Sequence, residues 1–401
     1  MKSPQSTSAG AAPHLVYLAT DPLTAFRLMD GQLGEMKRRG FRVSVITAPG
    51  ELLSRVAQRE GVEVHAVPMR REISPALDVV ALARLIWLLR RLRPDLVNAG
   101  TPKAGLLGCT AARLAGVPVV VYLLRGLRFE GARGARRLLL ALTEHVSAGM
   151  AHRVFCNSRS LQERFVALGC APREKTLVPG AGTSNGVDVA RFALTPPVRE
   201  WARAERRSRG IPETAAVIGF VGRFARDKGL TELLQAFQAL RAAGQDAHLL
   251  LVGDEDQTDP LPVEVARLLR ETPGVHLTGF VPEPSRYYAL MDVFAFPSYR
   301  EGFPNAPLEA AAAGVPCVAF RATGTVDAVA DGETGTLVPL HDVAALTQAL
   351  AAYLHDAPLR RRHGAAAQAR VERSFRREKV WDALEHEYRR LLAEVGHAAV
   401  G

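Results

Sequence analysis

Short apolar runs alternate with longer segments of helical periodicity along the whole of this 401-residue chain. The apolar runs predict buried strands, because the segments between them repeat apolar residues at the three- and four-residue spacing of helices. Regular alternation of this kind predicts α/β domains with doubly wound parallel sheets. The predicted strands are 14–20, 41–47, 62–68, 95–100, 117–124 and 152–158 in the first half, and 216–222, 248–254, 275–280, 294–298, 316–320 and 335–339 in the second.

The alternation is interrupted by a proline-bearing, highly charged stretch after residue 195. Such a stretch between two apolar blocks is typical of an interdomain connection. We therefore expect two Rossmann-like domains, with the C-terminal helix either separate or returning to the first. The predicted segments are a disordered tail at 1–12, a first domain at 13–195, a linker at 196–215, a second domain at 216–369 and a helix at 370–401.

Composition narrows the class of protein. Hydrophobic residues make up 48% and charged residues 23%, and no uninterrupted apolar run approaches 18 residues, so we expect no membrane-spanning helix. The first twelve residues are small and polar, unlike a secretory signal. The four cysteines are scattered without a C-x-x-C pair, which is typical of reduced thiols. We expect a cytoplasmic protein, either free or peripheral on the inner face of the cell membrane.

The net charge of +10 is concentrated in the first half of the chain. Residues 1–195 hold 27 Lys and Arg against 14 Asp and Glu, whereas residues 196–401 hold 24 against 27. A basic excess fits nucleic acid, an anionic membrane surface or a phosphorylated acceptor, and equally a merely arginine-rich soluble surface. We predict no nucleic-acid partner, because no binding module is recognisable and aromatic residues are only 6%.

Two stretches of the basic half keep an anionic membrane surface open as a partner. The helix predicted at 81–94 carries Trp87 and several arginines beside an apolar face that would pack on the sheet. Arg133, Arg136 and Arg137 precede a second apolar helical run.

Two carboxylates separated by seven residues, Glu301 and Glu309, lie in the stretch FPSYREGFPNAPLEAAAAGVP at 296–316. The residues between them favour a loop, and LEAAAA begins a helix. Glu301 would then follow a strand, and Glu309 would lie in the first turns of the next helix, at the edge where open α/β sheets bind ligands. A carboxylate there can accept two hydrogen bonds from a vicinal diol such as ribose. The alternative for Glu309 is an ordinary exposed helix glutamate.

A glycine and two cations follow the first strand of the second half, in GFVGRFARDKG at 219–229. Gly222 would allow close approach of the backbone to a ligand. Arg223 and Lys228 flank a loop that opens a helix, and two cations near a helix N-terminus suit a diphosphate. Taken alone, the same spacing also occurs in solvated loops.

These stretches together resemble a known enzyme family. GRFARDKG, SNGVD (184–188), LVGD, GFVP (279–282), REGFPNAPLEA and G-V-P are similar to motifs of the retaining, nucleotide-sugar-dependent glycosyltransferases with an E-x7-E motif on a GT-B fold. GTPKAGLLG (100–108) and VYLLRGLRFEG (121–131) resemble the branch that assembles capsular, exopolysaccharide and lipid-linked glycans.

The resemblance implies a fold, a reaction and partners. It implies two Rossmann-like domains facing across a cleft, the second holding the nucleotide sugar and the first the acceptor. It further implies a retaining hexosyl- or N-acetylhexosaminyl-type glycosyltransferase. The donor would be a nucleotide-diphosphate sugar, with a UDP-sugar favoured, and the acceptor a lipid-diphosphate-linked glycan.

The resemblance also assigns donor roles to residues of the second half. Arg223 and Lys228 match the pair that binds the donor diphosphate and helps the nucleotide leave. Glu309 matches the carboxylate that binds the ribose, and Glu301 matches the one near the hydroxyls of the donor sugar. The other implied donor-binding residues are Gly222, Phe280, Val281, Gly302, Phe303, Pro304 and Asn305, with the main chain near Phe280 and Val281 beside the base.

The first half departs from the family pattern near the transferred sugar. Many relatives have a histidine just after the strand that matches VVVYLL, and this chain has Arg125 there. Arginine stays protonated and cannot act as a general base, so Arg125 would donate hydrogen bonds to a phosphate or sugar hydroxyl, or would only order its loop. Lys103 fits an acceptor phosphate or an ordinary surface position. The catalytic candidates are Arg125, Arg223, Lys228 and Glu301, and the acceptor-binding candidates are Asp21, Lys103, Arg125, Arg128 and Glu130.

Other chemistries have less support in the sequence. We interpret Asp254-Glu255-Asp256 as an acidic loop and predict neither a metal nor a cofactor beyond the sugar nucleotide, since no spaced His/Cys cluster occurs. P-loop and G-x-G-x-x-G motifs are absent from the expected positions. Two alternatives stay open: a non-hydrolysing nucleotide-sugar epimerase, and a catalytically idle sugar-nucleotide-binding subunit.

Overall fold

The computed structural model describes residues 12–70, 72 and 74–398. The chain forms two compact units. The first comprises the chain up to residue 156, residues 165–179 and the segment from Trp381 onward, and the second comprises 157–164 and 180–380. Each unit is built on a parallel sheet with crossover helices, so the predicted α/β class with two doubly wound parallel sheets is confirmed.

The first unit contains a seven-stranded sheet whose central strands are almost entirely buried. Its strands are β1 His14–Leu18, β2 Arg42–Thr47, β3 Glu63–Ala66, β4 Leu96–Ala99, β5 Val119–Leu124, β6 Arg153–Cys156 and β7 Thr176–Leu177. The order is β3-β2-β1-β4-β5-β6-β7, with parallel pairing. Because the order reverses between β1 and β4, the loops after these two strands meet at a topological switch point.

The helices of the first unit begin at the signals that the sequence carries. Asp21 and Thr101 cap two of them by accepting from main-chain N–H groups, and Gly116 ends one in the left-handed conformation. The helices are α1 Pro22–Leu28, α2 Gln32–Arg38, α3 Glu51–Glu60, α4 Pro75–Leu92, α5 Pro102–Ala115 and α6 Gly134–Met150. The following helix, α7 Arg159–Ala167, contributes residues to both units.

The second unit contains a six-stranded parallel sheet around an extensive apolar core. Its strands are β8 Ala216–Val221, β9 Ala247–Val252, β10 Val275–Leu277, β11 Val293–Phe296, β12 Cys317–Phe320 and β13 Gly335–Val338. The order is β10-β9-β8-β11-β12-β13. The switch point therefore lies between β8 and β11, so the loops that follow these two strands are neighbours.

Helices of the second unit include one where the charge pattern indicated a linker. The helices are α8 Pro196–Ser208, α9 Leu230–Ala242, α10 Val263–Glu271, α11 Asn305–Ala312, α12 Thr325–Ala328, α13 Val343–His355 and α14 Ala357–Ser374. Within 196–215, α8 packs on the second unit: Arg206 Nη2 donates to Asp292 Oδ2 at 2.9 Å and to the Leu290 carbonyl at 2.8 Å. Most charged residues of α8 are exposed, whereas Arg206 lies against the unit, so the high charge of 196–215 belongs to a packed helix rather than to a linker. Residues 180–195 also belong to this unit.

The C-terminal segment is two helices rather than one. Helix α14 ends before Phe375, whose carbonyl accepts a hydrogen bond from Val187 N at 2.8 Å. Helix α15 Arg377–Ala398 follows. From Trp381 onward α15 belongs to the first unit, where the buried Tyr388 ring stacks on Phe155 at 5.9 Å. None of the helices in the described ranges combines the length and apolarity that a membrane span requires.

Candidate active site

The loops after β8 and β11 bring a lysine and a glutamate together at the switch point of the second unit. Lys228 ends a 3-10 turn, Arg226–Lys228, and its Nζ lies 2.6 Å from Glu301 Oε1. The Ser298 hydroxyl donates to the same oxygen at 2.8 Å. Both charged side chains are mostly buried, so their attraction is screened less than that of a surface pair. Glu301 therefore holds the ammonium group of Lys228 in a fixed position at the edge of the sheet.

Backbone contacts lock the Lys228 loop onto the loop after β11. Tyr299 N donates to the Asp227 carbonyl at 2.9 Å. Gly229 has φ +67°, and a Cβ atom there would lie 2.0 Å from the Pro297 carbonyl oxygen. Only glycine fits that left-handed, close approach. The glycine that ends the GRFARDKG motif is thus explained by the packing of two loops.

The loop of Glu301 is also held from its other side. Glu301 N donates to the Thr323 carbonyl at 3.1 Å, and the Ser158 hydroxyl donates to the Gly302 carbonyl at 2.7 Å. Gly324, at φ +76°, approaches so closely that a Cβ atom would lie 2.7 Å from the Gly302 oxygen. The carboxylate therefore projects from a rigid segment, which suits a group that must meet a ligand in one orientation.

Glu309 lies about one turn into α11 and is half-buried. The Tyr288 hydroxyl donates to its Oε2 at 2.7 Å. Burial raises the pKa of Glu309 above its usual range, against the opposing effect of the Tyr288 hydrogen bond. An ordinary exposed helix glutamate would show neither feature. The Tyr288 hydroxyl occupies one lone pair of Oε2. The carboxylate can therefore still accept hydrogen bonds from further hydroxyl groups.

Arg223, directly after Gly222, has a largely exposed side chain whose guanidinium pairs with the Asp256 carboxylate. The acidic loop runs beside it, because Phe224 N donates to the Asp254 carbonyl at 2.8 Å and Asp256 N donates back to the Phe224 carbonyl at 3.1 Å. The acidic loop thus serves to hold Arg223. Within the described ranges, no group of three or more His, Cys, Asp and Glu side chains is arranged to bind a metal ion.

The remaining donor candidates occupy two different environments. Phe280 has 57% of its surface exposed, and Val281 is half-buried beside it, both after β10. Phe303 is buried against Phe375, with ring centroids 5.3 Å apart, and so supports the loop from within. Pro304 is the N-cap of α11 and Asn305 its first residue.

Three partners of the candidate residues carry no signal in the sequence. Tyr288 lies in a short 3-10 helix, Ser298 follows β11, and Asp256 lies in an acidic loop. Tyr288 and Asp256 contact Glu309 and Arg223, which lie far from them in the sequence, and no spacing or composition marks such contacts. Ser298 contacts Glu301 only three residues further along the chain, but a serine at that spacing is too common to mark a site.

In the first unit, two acceptor candidates are held by structural partners. The Asp21 carboxylate accepts from Thr24 N at 2.9 Å and so caps α1. Lys103 Nζ lies 2.7 and 3.0 Å from the two carboxylate oxygens of Asp78, and it also donates to the Glu72 carbonyl. Lys103 would therefore have to share its charge between Asp78 and any bound phosphate.

Arg125 lies at the end of β5, next to the switch point of the first unit. Its Nε donates to the Gly100 carbonyl at 2.8 Å, directly before Thr101, which contacts Thr20 through a 2.6 Å hydroxyl pair. Burial lowers the pKa of Arg125 to about 10, so the side chain stays protonated at neutral pH. Glu130 is half-buried in the 3-10 turn that follows, and the side chain of Arg128 lies outside the described part of the structure.

Comparison with known proteins identifies the family. Residues 215–356 match the family model of glycosyl transferases group 1, and residues 30–182 match that of the glycosyl transferase 4-like domain. The chain is 33% identical to the capsular polysaccharide biosynthesis glycosyltransferase CapM of Staphylococcus aureus, over 92% of this chain and 94% of the relative. The chain belongs to the group 1 glycosyltransferases.

Two further proteins are similar to this glycosyltransferase, one in sequence and one in fold. It is 28% identical to the UDP-Gal:alpha-D-GlcNAc-diphosphoundecaprenol alpha-1,3-galactosyltransferase of Escherichia coli, over 73% of this chain and 74% of the relative. It superposes on Anabaena HepE in complex with UDP and glucose with a TM-score of 0.77 at 19% identity, covering 93% and 98% of the two chains. The predicted GT-B fold is thereby confirmed, and family membership favours a glycosyltransferase over the epimerase alternative.

Proposed function

We propose that this glycosyltransferase moves a hexosyl or N-acetylhexosaminyl residue from a nucleotide-diphosphate sugar, with a UDP-sugar favoured, to a lipid-diphosphate-linked glycan, with retention of anomeric configuration. The product would be a capsular or related cell-surface polysaccharide. The observation that carries the proposal is the mostly buried Lys228–Glu301 pair at the switch point of the second unit, followed by Glu309 in α11.

The printed names of similar proteins support the choice of substrates. The relative from S. aureus is named for capsular polysaccharide biosynthesis, and the relative from E. coli for a UDP-sugar donor and a diphosphoundecaprenol-linked acceptor. HepE was crystallised with UDP and glucose.

In the proposed reaction, the bond between the anomeric carbon and the donor diphosphate breaks, and the departing phosphate oxygen keeps the electron pair. Lys228, held beside Glu301, and the more exposed Arg223 stabilise this developing charge. A charge that is already oriented and partly shielded, as on Lys228, stabilises it more than the same charge in water. Glu301 holds Lys228 and accepts hydrogen bonds from the hydroxyls of the donor sugar.

An acceptor hydroxyl attacks the same face of the sugar and passes its proton to the departing phosphate oxygen. No protein base is needed in this scheme. That fits a first unit with Arg125 where relatives have a histidine, since a side chain with a pKa of about 10 does not accept a proton at neutral pH. Arg125 would instead donate to a phosphate or hydroxyl of the acceptor.

Removing the hydroxyl that orients Glu309 is expected to weaken donor binding. Tyr288→Phe should raise the donor KM by about tenfold, because a hydrogen bond to a charged group is lost. The same hydroxyl lowers the pKa of Glu309, so its loss should raise that pKa further. Donor binding needs the ionised carboxylate. On acidification, the variant should therefore lose donor binding at a higher pH than the parent protein does. The donor KM measured from about pH 5 to pH 8 tests both effects.

The adjacent Tyr287 provides a matched control for Tyr288→Phe. Its ring packs on Trp201, with centroids 5.2 Å apart, and Tyr287→Phe changes a hydroxyl in the same 3-10 helix away from Glu309. Equal donor KM values in the two variants would show that Tyr288 does not position the carboxylate.

The proposed reaction is tested by following nucleotide release from a panel of nucleotide sugars, with and without a polyprenyl-diphosphate-linked saccharide. We expect release that depends on the acceptor, and the anomeric proton coupling of the product should match that of the donor. Conversion of the donor without an acceptor would indicate an epimerase, and binding without transfer to any acceptor an idle subunit. A product with inverted configuration would contradict retention alone.

A further inference from the structure

Exposed large apolar side chains of the first unit are concentrated on three helices. They are Leu77, Val79, Val80 and Trp87 on α4, Leu114 on α5, and Leu138, Leu139, Leu142 and Met150 on α6. Elsewhere in the described residues such side chains are scattered singly, at Leu23, Val263, Phe280 and Leu340. Single exposed apolar residues are common, whereas a concentration of them marks an interaction surface.

The three helices are neighbours on the sheet. Helix α5 contacts both α4 and α6, and Arg90 Nη2 on α4 donates to the Leu114 carbonyl at 3.1 Å. Helix α4 buries Leu85 and Leu89 towards the unit, while Trp87 is 62% exposed with the Arg91 guanidinium 5.6 Å from its ring centroid. Trp87 thus lies beside an arginine on an outward face of α4.

The first half of α6 is the most exposed part of this group. Every residue from 133 to 139 is exposed, and Leu138 retains 75% of its surface. We call Arg133, Arg136, Arg137, Leu138, Leu139 and Leu142 the arginine–leucine surface. These three leucines are exposed, so packing in the hydrophobic core does not explain them.

Neither helix stability nor ion pairing explains the three arginines of this surface. Positive side chains at a helix N-terminus oppose the helix dipole and are unfavourable for the helix. Among the described residues, no carboxylate forms an ion pair with Arg133, Arg136 or Arg137. Their charge is therefore available to an external anion, and the leucines beside them suit the apolar part of the same partner.

The arginine–leucine surface lies at the functional edge of the first sheet. In a parallel sheet each crossover helix starts from the carboxyl edge of the strand before it. Helix α6 follows β5 through Arg125 and the 3-10 turn Arg128–Gly131, so its exposed first half begins at the same edge as Arg125. A partner bound there would lie near the candidate acceptor residues.

We propose that the arginine–leucine surface docks the first unit on a bilayer that contains anionic phospholipid. Basic side chains attract the anionic headgroups, while leucines enter the interface between headgroups and acyl chains, as in amphipathic helices that lie on membranes. A second copy of this chain is a poorer partner, because it would bring three more arginines against these three. Docking would place the edge that carries Arg125 at the membrane, where a lipid-linked acceptor presents its diphosphate. Only this last step rests on the proposed function.

Co-sedimentation of the purified full chain with vesicles tests the docking without any sugar substrate. We expect binding to phosphatidylcholine vesicles that contain phosphatidylglycerol, little binding to pure phosphatidylcholine, and a loss of binding at high salt. Arg136→Gln with Arg137→Gln should weaken binding about thirtyfold, since each basic residue near an anionic surface contributes about a factor of five. Leu138→Ser with Leu142→Ser should also weaken binding, and that loss should persist at low salt.

Matched controls lie on the second unit. Arg361→Gln with Arg362→Gln removes the same charge from exposed positions of α14, and Val263→Ser removes an apolar side chain that is 85% exposed. Both controls should bind vesicles as the parent protein does. The arginine variant of α6 should fold, because it removes charges that oppose the helix dipole.

Three results would overturn the proposal: no binding of the parent protein to anionic vesicles at low salt, unchanged binding by both α6 variants, or a dimer that these variants convert to monomer. Transfer to a water-soluble acceptor, measured without vesicles, should be equal in the parent protein and the α6 variants. A chain that binds vesicles but transfers no sugar would contradict the proposed function and leave the docking intact.

Discussion

Replacing Lys228 with methionine is expected to lower kcat about 10²- to 10³-fold, the usual loss when one fixed group that stabilises transition-state charge is removed. Lys228 Nζ is held 2.6 Å from Glu301 Oε1 in a mostly buried position, so its charge is already oriented before the donor binds. Methionine keeps the length and apolar stem of the side chain and removes only the ammonium group. Single-turnover measurements with a saturating donor separate this effect from donor affinity.

A neighbouring cation provides the control for Lys228→Met. Arg226 lies in the same 3-10 turn, its Nε donates to the Pro260 carbonyl at 2.9 Å, and its side chain is 64% exposed. Arg226→Gln should therefore leave kcat near that of the parent protein. Near-normal turnover in Lys228→Met, with an unchanged circular dichroism spectrum, would remove Lys228 from the proposed mechanism.

Replacing Glu309 with glutamine is expected to lower kcat/KM about a hundredfold, mainly through donor affinity. A carboxylate accepts charge-assisted hydrogen bonds from two ribose hydroxyls, and the neutral amide cannot replace both. Glu309→Ala should lose at least as much. Isothermal titration with the nucleotide diphosphate and steady-state kinetics together measure the loss in affinity.

The same substitution should not destabilise the protein at neutral pH. Burial raises the pKa of Glu309 above its value in the unfolded chain. The protonated acid is therefore favoured by folding, and this stabilisation is lost as the pH rises through the raised pKa. At neutral pH the ionised carboxylate opposes folding, so Glu309→Gln should match or exceed the parent protein in Tm. A lower Tm together with lost activity would point to a structural role.

Hydrophobic periodicity was sufficient to predict both sheets and their parallel class. Strands such as β5 and β8 are continuous apolar runs bounded by glycine or proline, and a buried parallel strand needs no more information than that. Helix α8 was not predicted, because the prolines and the many charged residues of 196–215 indicated a linker. The two-residue strand β7 is too short to leave a pattern.

The sequence alone determined that Lys228 and Glu301 follow strands and that Glu309 lies near the start of a helix. Strands, turns and helix caps depend on residues that are close together in the chain. Tertiary structure decided what these groups contact. Tyr288 meets Glu309, Asp256 meets Arg223, and Asp78 meets Lys103 across long stretches of sequence. The assignment of α15 from Trp381 onward to the first unit has the same origin. Contacts between distant segments depend on how whole elements pack, and no local period or spacing encodes them.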